Sequence, residues 1–506
     1  MAQTQRAEVG GARVNSRIRK LAVGLLACYL VLFVQLNVIQ VAQQDSLAAD
    51  PRNSRQTIRD FNRMRGPIVT ADGVVIAQSR PTSKGSTFKF QREYPQGKLF
   101  GNVTGYYTLN FGSTQLEDSM NDVLMGDTPA QDLQAVGDLF KGENFGSVKL
   151  TLRADLQAVV AKALGNKTGS VVVMEPRTGR VLAMVNNPRY DPNLIVVPST
   201  AKAEQALNFL LAQKTKPLLD RTYQENYMPG SSFKIITTGI ALQAGVVSLD
   251  TTFPDESSFV PPQTKNPIQN FKGHTCGGSM LEVFYRSCNI SFARIALAVG
   301  PQGMVDGTKA WGVGEKVPID LPSPAASRFG DDARAFAKSL PLLAIGGFGQ
   351  GNDVMVPMHM AMVASTVANG GVMMKPYVVD ETLAHNGAVL TKTTPQQWKR
   401  PISSRTADIL TTMMIGVVNQ GTGRKMKLAN GIQAAAKTGT AQLNATGPEK
   451  SNAWIVGFAP ADAPRYAVAV ILKGGENDEI SESTGGTLAG PIAKQILDYL
   501  FAHDGR

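Results

Sequence analysis

Residues 21–41 read LAVGLLACYLVLFVQLNVIQV, twenty-one consecutive positions without a charged side chain. Wound as an α-helix, the run extends about 31 Å at 1.5 Å per residue, enough to cross the hydrocarbon core of a bilayer. Arg13, Arg17, Arg19 and Lys20 stand immediately before it. By the positive-inside rule that excess of cations keeps the N-terminus in the cytoplasm. Gln35, Asn37 and Gln40 make the outer half less apolar but carry no charge. A cleaved signal peptide has an apolar region of only about 7–15 residues and a small-residue cleavage site, and neither is present. A core helix of a globular domain does not account for the upstream cations. The run is read as an uncleaved single-pass anchor at 21–42, between a basic cytoplasmic tail at 1–20 and an extracytoplasmic body in the cytoplasmic membrane's outer space.

Beyond the anchor, residues 43–147 begin as a polar stalk. They continue in short strand-like runs broken by Gly, Pro and Asn. PIVTADGVVIAQ, with a turn at Asp72-Gly73, and STFKFQREYPQGKLFG are two of these runs. From residue 148 the pattern changes to a strand, VKLTL, and a helix, RADLQAVVAKALG. GSVVVMEPRTGRVLAMV then reads as an antiparallel hairpin. NAWIVGFAP and RYAVAVILKGG supply two more strands before a closing helix, AGPIAKQILDYLF. Strands at both ends of a helix-rich middle predict an α+β domain at 148–506 whose sheet gathers distant segments. The small module at 43–147 reads as β-rich.

The chain carries 51 Lys and Arg against 40 Asp and Glu, a net charge of +11. Those cations are scattered, and no basic helix interleaved with aromatics occurs, which argues against nucleic acid as a partner. A basic surface suits an anionic membrane or polymer. Cys28, Cys276 and Cys288 form no C-x-x-C and no ligand spacing with histidine, so no metal site is expected. An extracytoplasmic location permits Cys276 and Cys288 to form a disulfide, the alternative being two independent thiols.

Tyr227-Met228-Pro229-Gly230-Ser231-Ser232-Phe233-Lys234 precedes an apolar helical run. Pro-Gly breaks the chain, so Ser231 opens a helix, and Lys234, three positions on, shares its face. A serine hydroxyl attacks a carbonyl only with a base in reach, and a lysine one turn away supplies one. Alone, S-x-x-K says little. Ser199-Thr200-Ala201-Lys202 repeats it, and a serine at a helix start is commonly an N-cap. Two further elements narrow the reading. Ser287-Cys288-Asn289 lies in YRSCNISFARIALAVG, which reads as helical. Lys437-Thr438-Gly439-Thr440 follows the small residues Ala434 to Ala436, as where a strand lets a ligand approach. Ser119-Met120-Asn121 and Lys167-Thr168-Gly169 are decoys, so order and flanks carry the information. His274, His359, His385 and His503 fit no nucleophile-elbow pattern and read as surface or packing residues.

S-x-x-K, then S-x-N, then K-T-G resembles the signature of active-site serine penicillin-recognising enzymes. Arg65-Gly66-Pro67-Ile68, Asp72-Gly73, Tyr94-Pro95-Gln96-Gly97 and the segment Gly112 to Glu117 are similar to the N-terminal module of class B penicillin-binding proteins. PRYDPN, GFGQGNDVMVP, VANGG and AWIVGFAP resemble landmarks of their transpeptidase domain. In size and in the stretch SSFK the chain looks most like the actinobacterial members. The resemblance implies an antiparallel sheet with helices on both sides and no metal or organic cofactor. It implies peptidoglycan stem peptides as substrate, β-lactam antibiotics as acylating inhibitors, and cell-wall synthesis or division proteins as partners.

It also implies roles for residues. Ser231 attacks the carbonyl between two terminal D-alanines, and the backbone N–H groups of Ser231 and Thr440 hold the oxyanion. Lys234 acts as base, which requires its pKa to fall by roughly 3 units, about 4 kcal/mol. Repulsion from Lys437 and partial burial supply the depression. Ser287 relays a proton to the leaving amine, and Asn289 orients the substrate amide and Lys234. Lys437, with Thr438, Gly439 and Thr440, receives the terminal carboxylate. A D,D-carboxypeptidase or β-lactamase, in which water takes the acyl group, fits the same motifs. So does a non-catalytic β-lactam sensor or division scaffold. The anchor and the N-terminal module favour the transpeptidase.

Overall fold

The computed structural model describes residues 5–43, 59–84, 86, 88–131, 144–443, 451–474 and 484–504. At its N-terminus, helix α1 (Gln5–Asn37) is prolonged by a wider turn at Val38–Ala42. Within it Ser16–Val41 is long and apolar enough to span a membrane, and Leu25, Leu30 and Phe33 are exposed. A helix apolar on all sides is what a hydrocarbon solvent selects.

The remaining body is built on two sheets. One has five strands in the order β11-β12-β13-β5-β6, all antiparallel. These are β5 (Gly169–Met174), β6 (Val181–Asn187), β11 (Ala435–Gln442), β12 (Ser451–Ala459) and β13 (Tyr466–Leu472). Alternate side chains serve two cores. Val171, Val173, Val468 and Val470 pack with helices α2 (Ala154–Leu164) and α7 (Gly485–His503). Val172, Met174, Ala469 and Ile471 face the other way, toward α6 (Pro357–Ala368). Because both faces are covered, the strands read in sequence as unbroken apolar runs rather than alternating ones. The hairpin predicted across Pro176-Arg177-Thr178-Gly179 is present, as are both C-terminal strands.

The second sheet has six strands in the order β10-β9-β4-β1-β2-β3. Its members are β1 (Ile68–Val69), β2 (Val75–Pro81), β3 (Phe90–Glu93), β4 (Ser147–Leu150), β9 (Val379–Leu383) and β10 (Val389–Lys392). The β1–β2 turn falls at Asp72-Gly73, with Gly73 at φ +80°, the left-handed region glycine tolerates. One sheet thus combines strands from before residue 147 with strands from 379–392. A departure from the sequence expectation follows β3. Pro95 cannot donate to a ladder, and the chain turns into a helix at Gly97–Thr104 instead of another strand. Phe100 and Val103 are buried there, and a Cβ on Gly101 would lie 2.5 Å from the Tyr190 carbonyl oxygen.

Glu117, fully buried, anchors this region. Its carboxylate accepts from Arg65 Nε at 2.6 Å, from Arg92 Nε at 2.7 Å and from the Tyr94 hydroxyl at 3.1 Å. Arg92 also donates to the Gly66 carbonyl at 2.9 Å. The two guanidinium groups outweigh the burial that opposes them and hold the Glu117 carboxyl below its ordinary range.

Candidate active site

Gly230–Phe233 forms one tight 3-10 turn, and α3 (Lys234–Gln243) continues from it. The approach to the turn is held on several sides. Tyr227 and Met355 exchange backbone hydrogen bonds, Gly230 N–H donates to the Gly349 carbonyl, and Trp454 Nε1 donates to the Met228 carbonyl at 3.0 Å. β11 is the edge strand of the five-stranded sheet, and the turn packs against it. Two glycines allow that closeness. A Cβ on Gly230 would lie 2.5 Å from the Thr440 carbonyl oxygen, and one on Gly439 would lie 2.5 Å from that of Pro229. Gly439, expected among the substrate-binding residues, also makes the contact between strand and turn.

The segment Ser287-Cys288-Asn289 does not lie inside one continuous helix. It joins α4 (Met280–Arg286) to α5 (Asn289–Ala310), and Ser287 sits at φ 65°, ψ 41°. That left-handed residue ends α4 where glycine is the usual choice. Cys288 and Cys276 are joined by a disulfide, with Cα atoms 5.6 Å apart. Cys276 opens β8 (Cys276–Ser279), which pairs with β7 (Thr252–Glu256).

These elements converge on two fully buried lysines. Lys234 Nζ donates to the Ser287 carbonyl at 2.8 Å and to Asn289 Oδ1 at 2.9 Å, and lies 3.3 Å from Ser287 Oγ. Lys437 Nζ, from β11, donates to the same Ser287 Oγ at 2.8 Å and to the Thr438 carbonyl at 3.1 Å. The hydroxyl of Ser287 therefore stands between two amines. Rings close the site from the apolar side, with Phe292 5.0 Å and Phe348 5.9 Å from Lys234 Nζ and Phe284 5.7 Å from Lys437 Nζ. Burial first, and the neighbouring Lys437 second, hold Lys234 well below the ordinary lysine range. Burial brings Lys437 down to about 7. Among the described residues no carboxylate is a hydrogen-bond partner of either lysine.

A neutral amine has two N–H donors and one lone pair. In Lys234 the donors are matched by the Ser287 carbonyl and Asn289 Oδ1, which leaves the lone pair for a hydroxyl proton. Ser231, Ser287, Asn289 and Thr440 are half-buried whereas the two lysines are fully buried, so the site has a dry floor and an accessible rim. Among the described residues the Ser231 hydroxyl has no hydrogen-bond partner. Thr438 Oγ1 bonds Thr422 Oγ1 at 2.5 Å, and Thr440 Oγ1 accepts from Gly485 N–H at 3.2 Å. The structure thus brings together all of Ser231, Lys234, Ser287, Asn289 and Lys437 to Thr440.

The decoys stand elsewhere. Ser199 and Lys202 are exposed at a helix start, Lys167 is exposed before β5, and Asn121 accepts from Arg65. His359 is fully buried between Ser327 Oγ and the Trp311 carbonyl, at 2.8 Å from each, and burial lowers it to about 4. Thr422 and Asn270 support the site and were not read from sequence. Neither lies in a motif, and each reaches the site only through the fold. Among the described residues no three acidic, histidine or cysteine side chains converge as a metal site requires.

Comparison with known proteins agrees with this geometry. Residues 169–498 match the penicillin binding protein transpeptidase domain, and residues 65–148 match the penicillin binding protein A dimerisation domain. The peptidoglycan D,D-transpeptidase PbpA of Mycolicibacterium smegmatis is 36% identical over 498 residues, covering 96% of this chain and 98% of that protein. PbpA of Mycobacterium tuberculosis is 32% identical over 96% of this chain and 99% of its own length. The solved structure of penicillin-binding protein A from M. tuberculosis as its penicillin G acyl-enzyme superimposes with a TM-score of 0.79 at 31% identity. It covers 87% of this chain and 100% of that one. The chain belongs to the penicillin-binding transpeptidase family.

Proposed function

We propose that the chain is a peptidoglycan D,D-transpeptidase that cross-links stem peptides through an acyl-enzyme on Ser231, and that β-lactams inhibit it by acylating the same residue. The observation that carries this is the amine–hydroxyl–amine arrangement of Lys234, Ser287 and Lys437 beside the Ser231 turn. A lysine pushed well below its usual range by burial and by Lys437 gives up its proton more readily than a free lysine, and as a neutral amine it takes the Ser231 proton as the hydroxyl attacks the D-alanyl carbonyl. The oxyanion lies between the N–H groups of Ser231 and Thr440, an assignment supported by the backbone contact of turn and strand. Ser287 Oγ, bonded to Lys437 and adjacent to Lys234, passes the proton to the leaving D-alanine. Asn289 orients Lys234 and the substrate amide. Lys437, Thr438 and Thr440 receive the terminal carboxylate.

In this reading residues 1–20 lie in the cytoplasm, and everything after the anchor is extracytoplasmic. Residues 43–147 are a stalk and a pedestal or dimerisation-like module for the catalytic transpeptidase domain at 148–506, a reading supported by the family match of 65–148. Its partners are cell-wall synthesis or division proteins.

Mass spectrometry after exposure to penicillin tests the reading. One covalent adduct is expected on the peptide containing Ser231, and none in Ser231→Ala. An adduct near Ser199, or one surviving Ser231→Ala, overturns the assignment. A stem-peptide donor offered with an amine acceptor then separates transpeptidation from hydrolysis. Products in which water alone takes the acyl group point to a carboxypeptidase or β-lactamase.

A further inference from the structure

Helix α5 begins at Asn289, one of the residues that bind Lys234, and its N-cap position is Cys288. A helix start leaves backbone N–H groups without partners, and a polar side chain at the cap normally accepts from them. Cys288 is committed to the disulfide and caps nothing. The cap comes instead from nineteen residues upstream. Asn270, 5% exposed, accepts with its Oδ1 from the N–H of Asn289 at 2.8 Å and from that of Ile290 at 3.1 Å. Its Nδ2 donates to the Glu256 carbonyl at 2.8 Å, which ties the same side chain back to β7. The preceding carbonyl, of Gln269, accepts from Asn289 Nδ2 at 3.3 Å. Asn289 is thereby held by its backbone N–H and its side-chain amide, with Oδ1 left to Lys234.

We infer that Asn270 is a positioning residue for the acyl-transfer reaction. It caps α5 in trans and so fixes Asn289, and through Asn289 the amine of Lys234. The inference rests on the functional reading above. It also separates Asn270 from the other attachments of this helix. Glu256 accepts a bidentate pair from Arg294 on α5, at 2.8 and 3.0 Å, which holds the helix without touching its first residue.

Three variants of the full chain test it, each followed by the acylation rate constant with saturating penicillin at a pH where the rate has levelled. Asn270→Ala removes both accepted bonds, and a displacement of Asn289 on the ångström scale should slow acylation roughly 10- to 100-fold. Asn270→Asp keeps an acceptor oxygen in the same place and should recover most of that loss. Glu256→Ala breaks the ion pair to Arg294 but leaves the cap, and should acylate within about threefold of the unaltered protein whatever its thermal stability. Hydrogen exchange at the Asn289 and Ile290 amides reads the cap without any reaction, and should accelerate in Asn270→Ala only. Unaltered acylation in Asn270→Ala, an equal slowing in Glu256→Ala, or unchanged exchange at the two amides overturns the inference. Absence of acylation in the unaltered protein counts against the functional reading instead, and the exchange measurement then decides the cap.

Discussion

Replacing Lys437 with glutamine should move the acidic limb of acylation to higher pH. Lys437 Nζ and Lys234 Nζ lie 2.8 and 3.3 Å from the one Ser287 Oγ, so the two nitrogens are at most about 6 Å apart. At an effective dielectric of about 20, two unit charges at that distance repel by about 3 kcal/mol. Lys437 itself sits at about 7, so it carries only part of its charge near neutrality. Only a share of that repulsion therefore acts there, and the limb moves by less than the full repulsion would give. Burial, the larger cause of the depression in Lys234, remains in the variant. The sign is fixed: without its cationic neighbour Lys234 binds its proton more tightly, and it becomes a base only at higher pH.

Stopped-flow acylation by a chromogenic β-lactam between about pH 5 and 10 reads the limb. Rate constants must be taken at saturation, because Lys437 also receives the substrate carboxylate in the proposed mechanism. Lys437→Arg supplies the control. It carries a full charge where Lys437 is only partly charged, and it changes the geometry, so the rate should fall while the limb moves, if at all, to lower pH, opposite to Lys437→Gln. A Lys437→Gln protein that still acylates Ser231 with its limb unmoved would falsify the coupling and leave Lys437 a carboxylate anchor alone.

Gly439→Ala should slow penicillin acylation by roughly 100-fold, because its Cβ would lie 2.5 Å from the Pro229 carbonyl oxygen and 3.0 Å from the Ser232 nitrogen, both backbone atoms that cannot step aside. Labelling at the normal rate would show that strand and turn are not in contact as described. Glu117→Gln should cost about 3–5 kcal/mol in chemical denaturation at pH 7, since it strands two buried guanidinium groups. The folded Glu117 carboxyl titrates below its unfolded value, so this contribution is complete above about pH 4.3 and is lost only as pH falls through the lower folded value. A deficit already fading at pH 6 would contradict it. Alkylation of the protein unfolded without reductant should label Cys28 alone, and with reductant all three cysteines. Labelled Cys276 and Cys288 without reductant would remove the bridge.

What the sequence revealed and what it hid follow from how local each constraint is. The hairpin of β5 and β6 and the strands β12 and β13 were legible because two-sided burial writes itself as continuous valine, isoleucine and alanine. Ser231 and Lys234 were legible because three residues and one turn place them together whatever surrounds them. The pairing of β4 with β9 was not, since it joins residues 147–150 to 379–383 and no local pattern marks either strand's partner. Asn270 was hidden for the same reason. An asparagine in a loop becomes a helix cap only when a distant helix starts beside it.

The misreading of Ser287 is the most informative, because its cause and its consequence are one piece of geometry. YRSCNISFARIALAVG reads in sequence as a helical context, and nothing local in it marks the break at Ser287. In a continuous helix the Ser287 carbonyl would accept from the N–H of Ser291, four residues on, and would be unavailable to any side chain. Ser287 instead turns left-handed, a conformation that costs a residue with a Cβ roughly 1–2 kcal/mol. The break releases that carbonyl to Lys234 at 2.8 Å and leaves the hydroxyl of the same residue within reach of both lysines. Asn289, the first residue of the next helix, supplies the other acceptor. A continuous helix offers Lys234 at most side-chain atoms. The interrupted one offers it a backbone carbonyl and a hydroxyl from Ser287 and an amide oxygen from Asn289, enough to hold a buried amine in place without a carboxylate that would keep it protonated.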